Sequence, residues 1–189
     1  ITRTWPMRGT LHWVAADQAG WLTRAMARRH LESGALATRQ HRLGLTQSVQ
    51  DRARELLEAA LADGAPVSRS ALLTALDDGG ISPKDGRGYH LLTTFCMTGW
   101  LTQGPAIDKE QSFLPVSQLA PRQQVVSDDE AGARIAQAFF TGHAAATVAD
   151  LAGWSGQTLT WARASVAACG DALTAVELAG RTRIVPSAW

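Results

Sequence analysis

Apolar positions return at helical spacing through most of this chain. In TQSVQDRARELLEAALADG, residues 46–64, the recurring positions are Val49, Ala53, Leu56, Leu57, Ala60 and Leu61. Thr46 precedes them as a cap and Gly64 ends the run. PVSRSALLTALDDGG repeats this grammar, with Ser68 as cap, Leu72, Leu73 and Leu76 as stripe, and Gly79-Gly80 as stop. SPKDGRGYHLLTTFCMTGW predicts a third helix. Ser82 caps it, Pro83 takes its first turn, and Leu91, Leu92, Phe95 and Cys96 point inward. Gly86 and Gly88 weaken its first half. WLTQG and QSFLPV are short extended runs and predict a hairpin around residues 104–110.

The same order returns further on. DDEAGARIAQAFFTG is a helix with Ala131, Ile135, Ala138 and Phe139 on one face. ATVADLAGWSG is a short helix opening near Thr147, and QTLTWARASVAACG is another with Leu159, Ala162, Val166 and Cys169 inward. ALTAVELAGRTRIVP is a hairpin turning at Gly180. Val67 aligns with Val148 and the turn near Gly104 with Gly180, a repeat of about eighty residues. Three helices closed by a hairpin make a winged helix. The prediction is a mainly α fold with short β-hairpins, of the α+β class, built from tandem winged-helix units.

The first residues do not fit that repeat. Thr4, Leu11, Trp13 and Val14 favour a strand over residues 3–15, interrupted at Pro6 and Gly9. Asp17 then caps a helix through Trp21, Leu22, Ala25 and Met26, and residues 33–46 read as a connector. The strand resembles the last wing strand of an earlier unit whose helices are absent. The expected division is 1–45, 46–120 and 121–189. Trp5, Trp13 and Trp21 read as packing for the junction.

Charge sharpens this division. Across the 189 residues the net charge is +1, with 46% hydrophobic residues. Residues 1–45 carry seven arginines against two acids, whereas the remaining two segments are net acidic. A positive N-terminal end attracts nucleic acid, although such patches also occur without that partner. Lys84 and Lys109 are the only lysines, and the many alanines suggest a GC-rich coding bias, so the preference for arginine carries little chemical meaning. No run of about 18 apolar residues exists to span a membrane. Cys96 and Cys169 stand far apart with no CxxC or Cys/His cluster, which argues against a disulfide framework or a zinc site. No Gly-rich phosphate loop, HExxH or GxSxG is present. The chain is expected to bind no metal and no cofactor.

Several cations are candidate contacts, each with a structural alternative. Arg8 and His12 would share a face of one strand. They either line a ligand-facing surface, with Arg8 on a phosphate, or tie the strand to the next helix. Lys84 and Arg87 open the middle unit's third helix, the end that enters a major groove in winged helices, but Asp77, Asp78 and Asp85 crowd them. Arg163 on the later unit's last helix has similar standing. Arg181 and Arg183 flank a wing turn, and arginines suit a narrow minor groove. Trp154 and Trp161 read as core at helix junctions, and His143 as a loop or cap residue.

RTWPMRGTLHWVAAD resembles the strand motif of the bacterial winged-helix DNA glycosylase family typified by AlkZ and YcaQ. DRARELLEAALADGAPVSRSAL resembles that family's middle unit, and FFTGHAAATVADLAGWSG continuing to GRTRIVP its third. The resemblance covers nearly the whole chain. It implies excision of alkylated bases by hydrolysis of the N-glycosidic bond. A Gln-x-Gln or Gln-x-Asp pair upstream of the RGTLH strand would hold the water, with His12 near that pair. No such pair occurs here: Gln47 and Gln50 have the wrong spacing, and Gln123 and Gln124 are adjacent in a linker. The chain begins at Ile1 and is expected to be the central section of a longer protein. The implied partner is duplex DNA in a bacterial cytoplasm, at the nucleoid, with no membrane. A non-catalytic DNA-binding regulator or a protein-interaction scaffold are the alternatives.

Overall fold

The computed structural model describes residues 1–119, 124–143 and 145–188. It is a mixed α and β structure with short antiparallel sheets, as the sequence predicts. Two compact units divide it, Ile1–Gln124 and Val125–Trp189. The expected 120/121 boundary and Gln123 lie outside the described residues.

The first unit opens with two strands where one is expected, β1 (Thr2–Met7) and β2 (Thr10–Val14). Arg8 and Gly9 turn the chain between them with φ of 51° and 67°. Two successive positive-φ residues match the right-handed twist of a tight hairpin. Glycine takes that conformation freely, whereas Arg8 takes it against its Cβ. Arg8 and His12 are therefore not on one strand. β1 is buried at nearly every position rather than alternately, so no period of two marks where it ends.

α1 (Ala19–Leu31) starts beyond Gln18 with no side-chain cap, and Asp17 lies in the preceding turn. The expected connector contains α2 (Gly34–Arg42), capped by Ser33, whose Oγ accepts from the Leu36 N–H at 3.3 Å. Leu36 is the one buried residue of α2, so an apolar stripe never marks the helix in the sequence.

Next come α3 (Gln47–Ala60), β3 (Val67–Ser68) and α4 (Arg69–Asp78), with Thr46 and Ser68 as the helix caps, as predicted. α5 (Arg87–Met97) begins later than Ser82-Pro83 suggests, because Asp85 and Gly86 form a turn with φ of 54° and 82°. β4 (Leu101–Gln103), β5 (Ser112–Pro115) and the short α6 (Val116–Leu119) complete the unit.

Its antiparallel sheet has the order β2-β1-β4-β5-β3. Arg3 pairs with Gln103, Thr102 with Leu114 and Val67 with Phe113. The Thr2 hydroxyl donates to the Gln103 carbonyl at 2.7 Å and also lies 2.7 Å from the Thr102 hydroxyl. The N-terminal hairpin thus extends the sheet of the helices that follow it. Trp5, Leu57, Leu72, Leu76, Leu91, Leu92, Leu101 and Phe113 share one core. Burying each such leucine stabilises the fold by about 1.5–3 kcal/mol. Trp21 is also buried, but Trp13 is 69% exposed on the edge strand beside Leu11. Its ring packs under the Arg3 guanidinium, 5.2 Å away, so it is not junction packing.

The second unit contains α7 (Asp128–Gly142), α8 (Val148–Ser155), α9 (Leu159–Ala168), a 3-10 turn at Gly170–Ala172, and the hairpin β6 (Leu173–Leu178) and β7 (Arg181–Pro186). Ser127, Thr147 and Thr158 cap its helices, and Thr147 forms a reciprocal box with Asp150. Ala146 bridges to Ile184, much as β3 pairs with β5. Phe140, Leu151, Ala162 and Ile184 form the core, with Trp154 and Trp161 packed against it. His143 is the C-cap of α7 and stacks on Phe139 at 4.4 Å.

Candidate nucleic-acid interface

The first unit holds a cleft of about 370 Å³ where the β1–β2 turn meets α1, α2 and α5. Buried Trp5, Leu36 and Met97 supply apolar lining. Nitrogen-bearing side chains come from four separate segments: Arg8 from the turn, His30 from α1, Arg39 from α2 and His90 from α5. No carboxylate is among the lining residues.

Local rules place each of them. α1 ends in Arg28, Arg29 and His30, and α2 carries Arg39, His41 and Arg42 in its last turn. Cations are favoured there by the negative end of the helix dipole. His30 approaches the turn because residue 9 is glycine, where a Cβ would stand 3.3 Å from the His30 Nε2. His90 is 5% exposed, and its Nε2 has no hydrogen-bond partner. Burial pushes its pKa below the ordinary histidine value, and Arg39 and His30 push it further the same way. Tyr89 lies at the rim, 45% exposed, with the Arg69 guanidinium 5.9 Å from its ring centre. A converging set of cations and imidazoles without a carboxylate suits an anion.

The residues singled out in the sequence are dispersed. Arg8 lines the cleft. His12 is half-buried on β2 outside the lining, and its Nε2 lies 2.7 Å from the Thr10 hydroxyl. The two are nevertheless neighbours: burial lowers the His12 pKa, and the Arg8 charge adds to the shift. Lys84 is exposed in the turn before α5. Arg87 is braced inward, with Nε donating to the Ser82 carbonyl at 3.0 Å and Nη1 to the Leu43 carbonyl. In the second unit, Arg163 is exposed on α9 and Arg181 on the hairpin. Arg183 is less exposed and lies 3.8 Å from the Asp150 carboxylate.

His30, Arg39 and His90 were not among the sequence candidates. The available signal was the arginine excess before residue 46, which marks two of their segments but not their convergence. Gln47 and Gln50 border a second cleft of about 320 Å³ with Thr94 and Arg54. Their amide groups are engaged, Gln47 donating to Asp51 at 2.8 Å and Gln50 to the Leu45 carbonyl at 3.0 Å. Among the described residues, no group of three or more His, Cys, Asp or Glu gathers as a metal site would require.

Fold and cleft define an α+β protein of helical units closed by β-hairpins, with a site suited to anions. Residues 1–188 match the family described as DNA glycosylase AlkZ-like. The chain belongs to that family. Among solved structures it is similar to the DNA glycosylase AlkZ of Streptomyces sahachiroi, with a TM-score of 0.77 at 23% identity. That likeness covers 99% of this chain and 52% of the other, so the chain spans about half the length of the structure it matches. No curated relative matches it significantly.

Proposed function

We propose that the chain binds duplex DNA through tandem winged helices, as the central part of a repair glycosylase that hydrolyses the N-glycosidic bond of alkylated bases. Family membership over residues 1–188 carries this reading. The order helix, short paired segment, two helices and hairpin, present in both units, supports it. In this reading the units are residues 46–120 and 121–189, and residues 1–45 complete an earlier one.

Arg8 contacts phosphate beside the rim of the site, and His12 acts near the water-holding pair. Lys84 faces DNA at the start of α5, where Arg87 contributes charge and fixes the helix start. Arg163 serves the last helix of the second unit, while Arg181 and Arg183 reach a minor groove from the β6–β7 turn. The sequence holds no Gln-x-Gln or Gln-x-Asp pair, so this chain alone leaves the base in place.

Fluorescence anisotropy with a labelled duplex, at low and moderate salt, tests binding. The expected result is weak association that falls steeply with salt, since each neutralised phosphate steepens the dependence by about 0.9 in logarithmic slope. A parallel assay on duplex carrying an alkylated base is expected to show no excision. Absence of binding at low salt refutes the DNA reading. Strong preference for one sequence in a binding-site selection replaces the repair role with a regulatory one.

A further inference from the structure

The cleft beside the β1–β2 turn is more specific than a general basic surface. Arg8, His30, Arg39 and His90 meet there from four segments, and no carboxylate lines the space. Arg8 and Arg39 bring two exposed guanidinium charges to the cleft, and an anion held between them would offset their repulsion. His90 carries a second, independent sign. It is nine-tenths buried and lines the cleft, yet its Nε2 is left without a hydrogen-bond partner. Such an atom costs free energy until something binds it.

We propose that this cleft binds one phosphate group, with Arg8 and Arg39 neutralising its charge and His30 and His90 donating to its oxygens. Phosphate chemistry is shared by a backbone phosphodiester and free phosphate. Choosing the DNA backbone as source rests on the DNA reading above; the phosphate site itself does not. The roughly tetrahedral disposition of oxygens explains why donors arrive from several directions rather than along one helix. The apolar lining of Trp5, Leu36 and Met97 keeps the local dielectric low, which strengthens each charge-assisted hydrogen bond. A bound anion favours the protonated form of His90, against the charges of Arg39 from α2 and His30 from α1 that hold its pKa down, with Arg8 lining the same cleft from the turn. Tyr89 is the titratable group beside it on α5.

Ring-proton NMR of the five histidines tests this. Inorganic phosphate is titrated against chloride at matched ionic strength, followed by a twelve-base-pair duplex. The expected result is that His30 and His90 signals move with phosphate, while His41 and His143 stay fixed. Arg39→Gln is expected to weaken phosphate binding at least five-fold, whereas Arg42→Gln leaves it unchanged. Arg39 is exposed, so its replacement spares the core. Duplex moving the same two rings supports a backbone source. Movement with phosphate alone supports the site with free phosphate as its source. If neither probe moves His30 or His90, the site is overturned. Anisotropy that still reports duplex binding in that case leaves the DNA reading standing without it.

Discussion

Replacing Gly88 by alanine should destabilise the first unit, although alanine is the better helix former. Gly88 lies inside α5, directly before Tyr89 and His90. In an open helix interior the change would gain about 0.5–1 kcal/mol. Here a Cβ would stand 2.4 Å from Leu73 Cδ2, 2.8 Å from Pro83 Cβ and 3.3 Å from Pro83 Cα. The Leu73 methyl can turn away, but the proline ring and its backbone are stiff. Overpacking of this kind costs about 1–3 kcal/mol. The clash should outweigh the propensity gain, for a net loss of up to about 2 kcal/mol. Gly153 in α8 is the matched control, because nothing lies within 4 Å of its Cβ position. Gly153→Ala should gain about 0.5–1 kcal/mol. Urea unfolding followed by circular dichroism reads both. With a typical slope of about 1–3 kcal/mol per molar, one kcal/mol moves the midpoint by about 0.3–1 M. Gly88→Ala shifting the midpoint upward, or both variants shifting the same way, would refute the packing argument.

Stability in phosphate-free buffer should fall as pH drops below about 6.5, the ordinary histidine value. The folded-state pKa of His90 is depressed, so the unfolded chain takes the proton more readily and the stabilisation present above that pH is lost below it. His12 acts in the same direction. His90→Gln should flatten the fall of thermal midpoint between neutral and mildly acidic pH; an unchanged slope would remove His90 as its source. Thr147→Ala should cost about 1 kcal/mol by removing the cap of α8. It should also let the Asp150 carboxyl rise towards its ordinary value, because hydrogen bonds from the Thr147 backbone and hydroxyl hold it down, with Arg183 adding to them. An NMR titration of Asp150 that is the same in both proteins would contradict this.

Most of the helices from α3 onward were legible because caps and stripes agreed. Thr46, Ser68 and Thr147 sit where the apolar period begins, and the leucines of α3, α4 and α5 meet in one core. α2 was hidden because a helix with one buried residue has no stripe to read. Ser82-Pro83 misled because the backbone reversal at Asp85 and Gly86 intervenes before α5. The turn at Arg8 was masked by burial on both sides of β1 and by an arginine in a conformation usually left to glycine or asparagine. The cleft was invisible for a different reason. His90 looks like any polar residue in an apolar helix until α1 and α2 are laid against it, and no local pattern encodes that meeting.

The attachment of β1 to β4 has a consequence for how the chain folds. Thr2 and Thr102 touch although they are 100 positions apart, whereas the β1–β2 hairpin and the β4–β5 hairpin each close over short loops. Contacts so distant must wait for a large loop to close, and their reward arrives after its entropy has been lost. The segment from α3 to β5 has its own hairpin and core leucines and is able to assemble first. The N-terminal hairpin then docks on a ready edge at β4 and covers it. Arg8 travels with that hairpin. Docking of that hairpin on β4 is therefore also what brings Arg8 to the cleft.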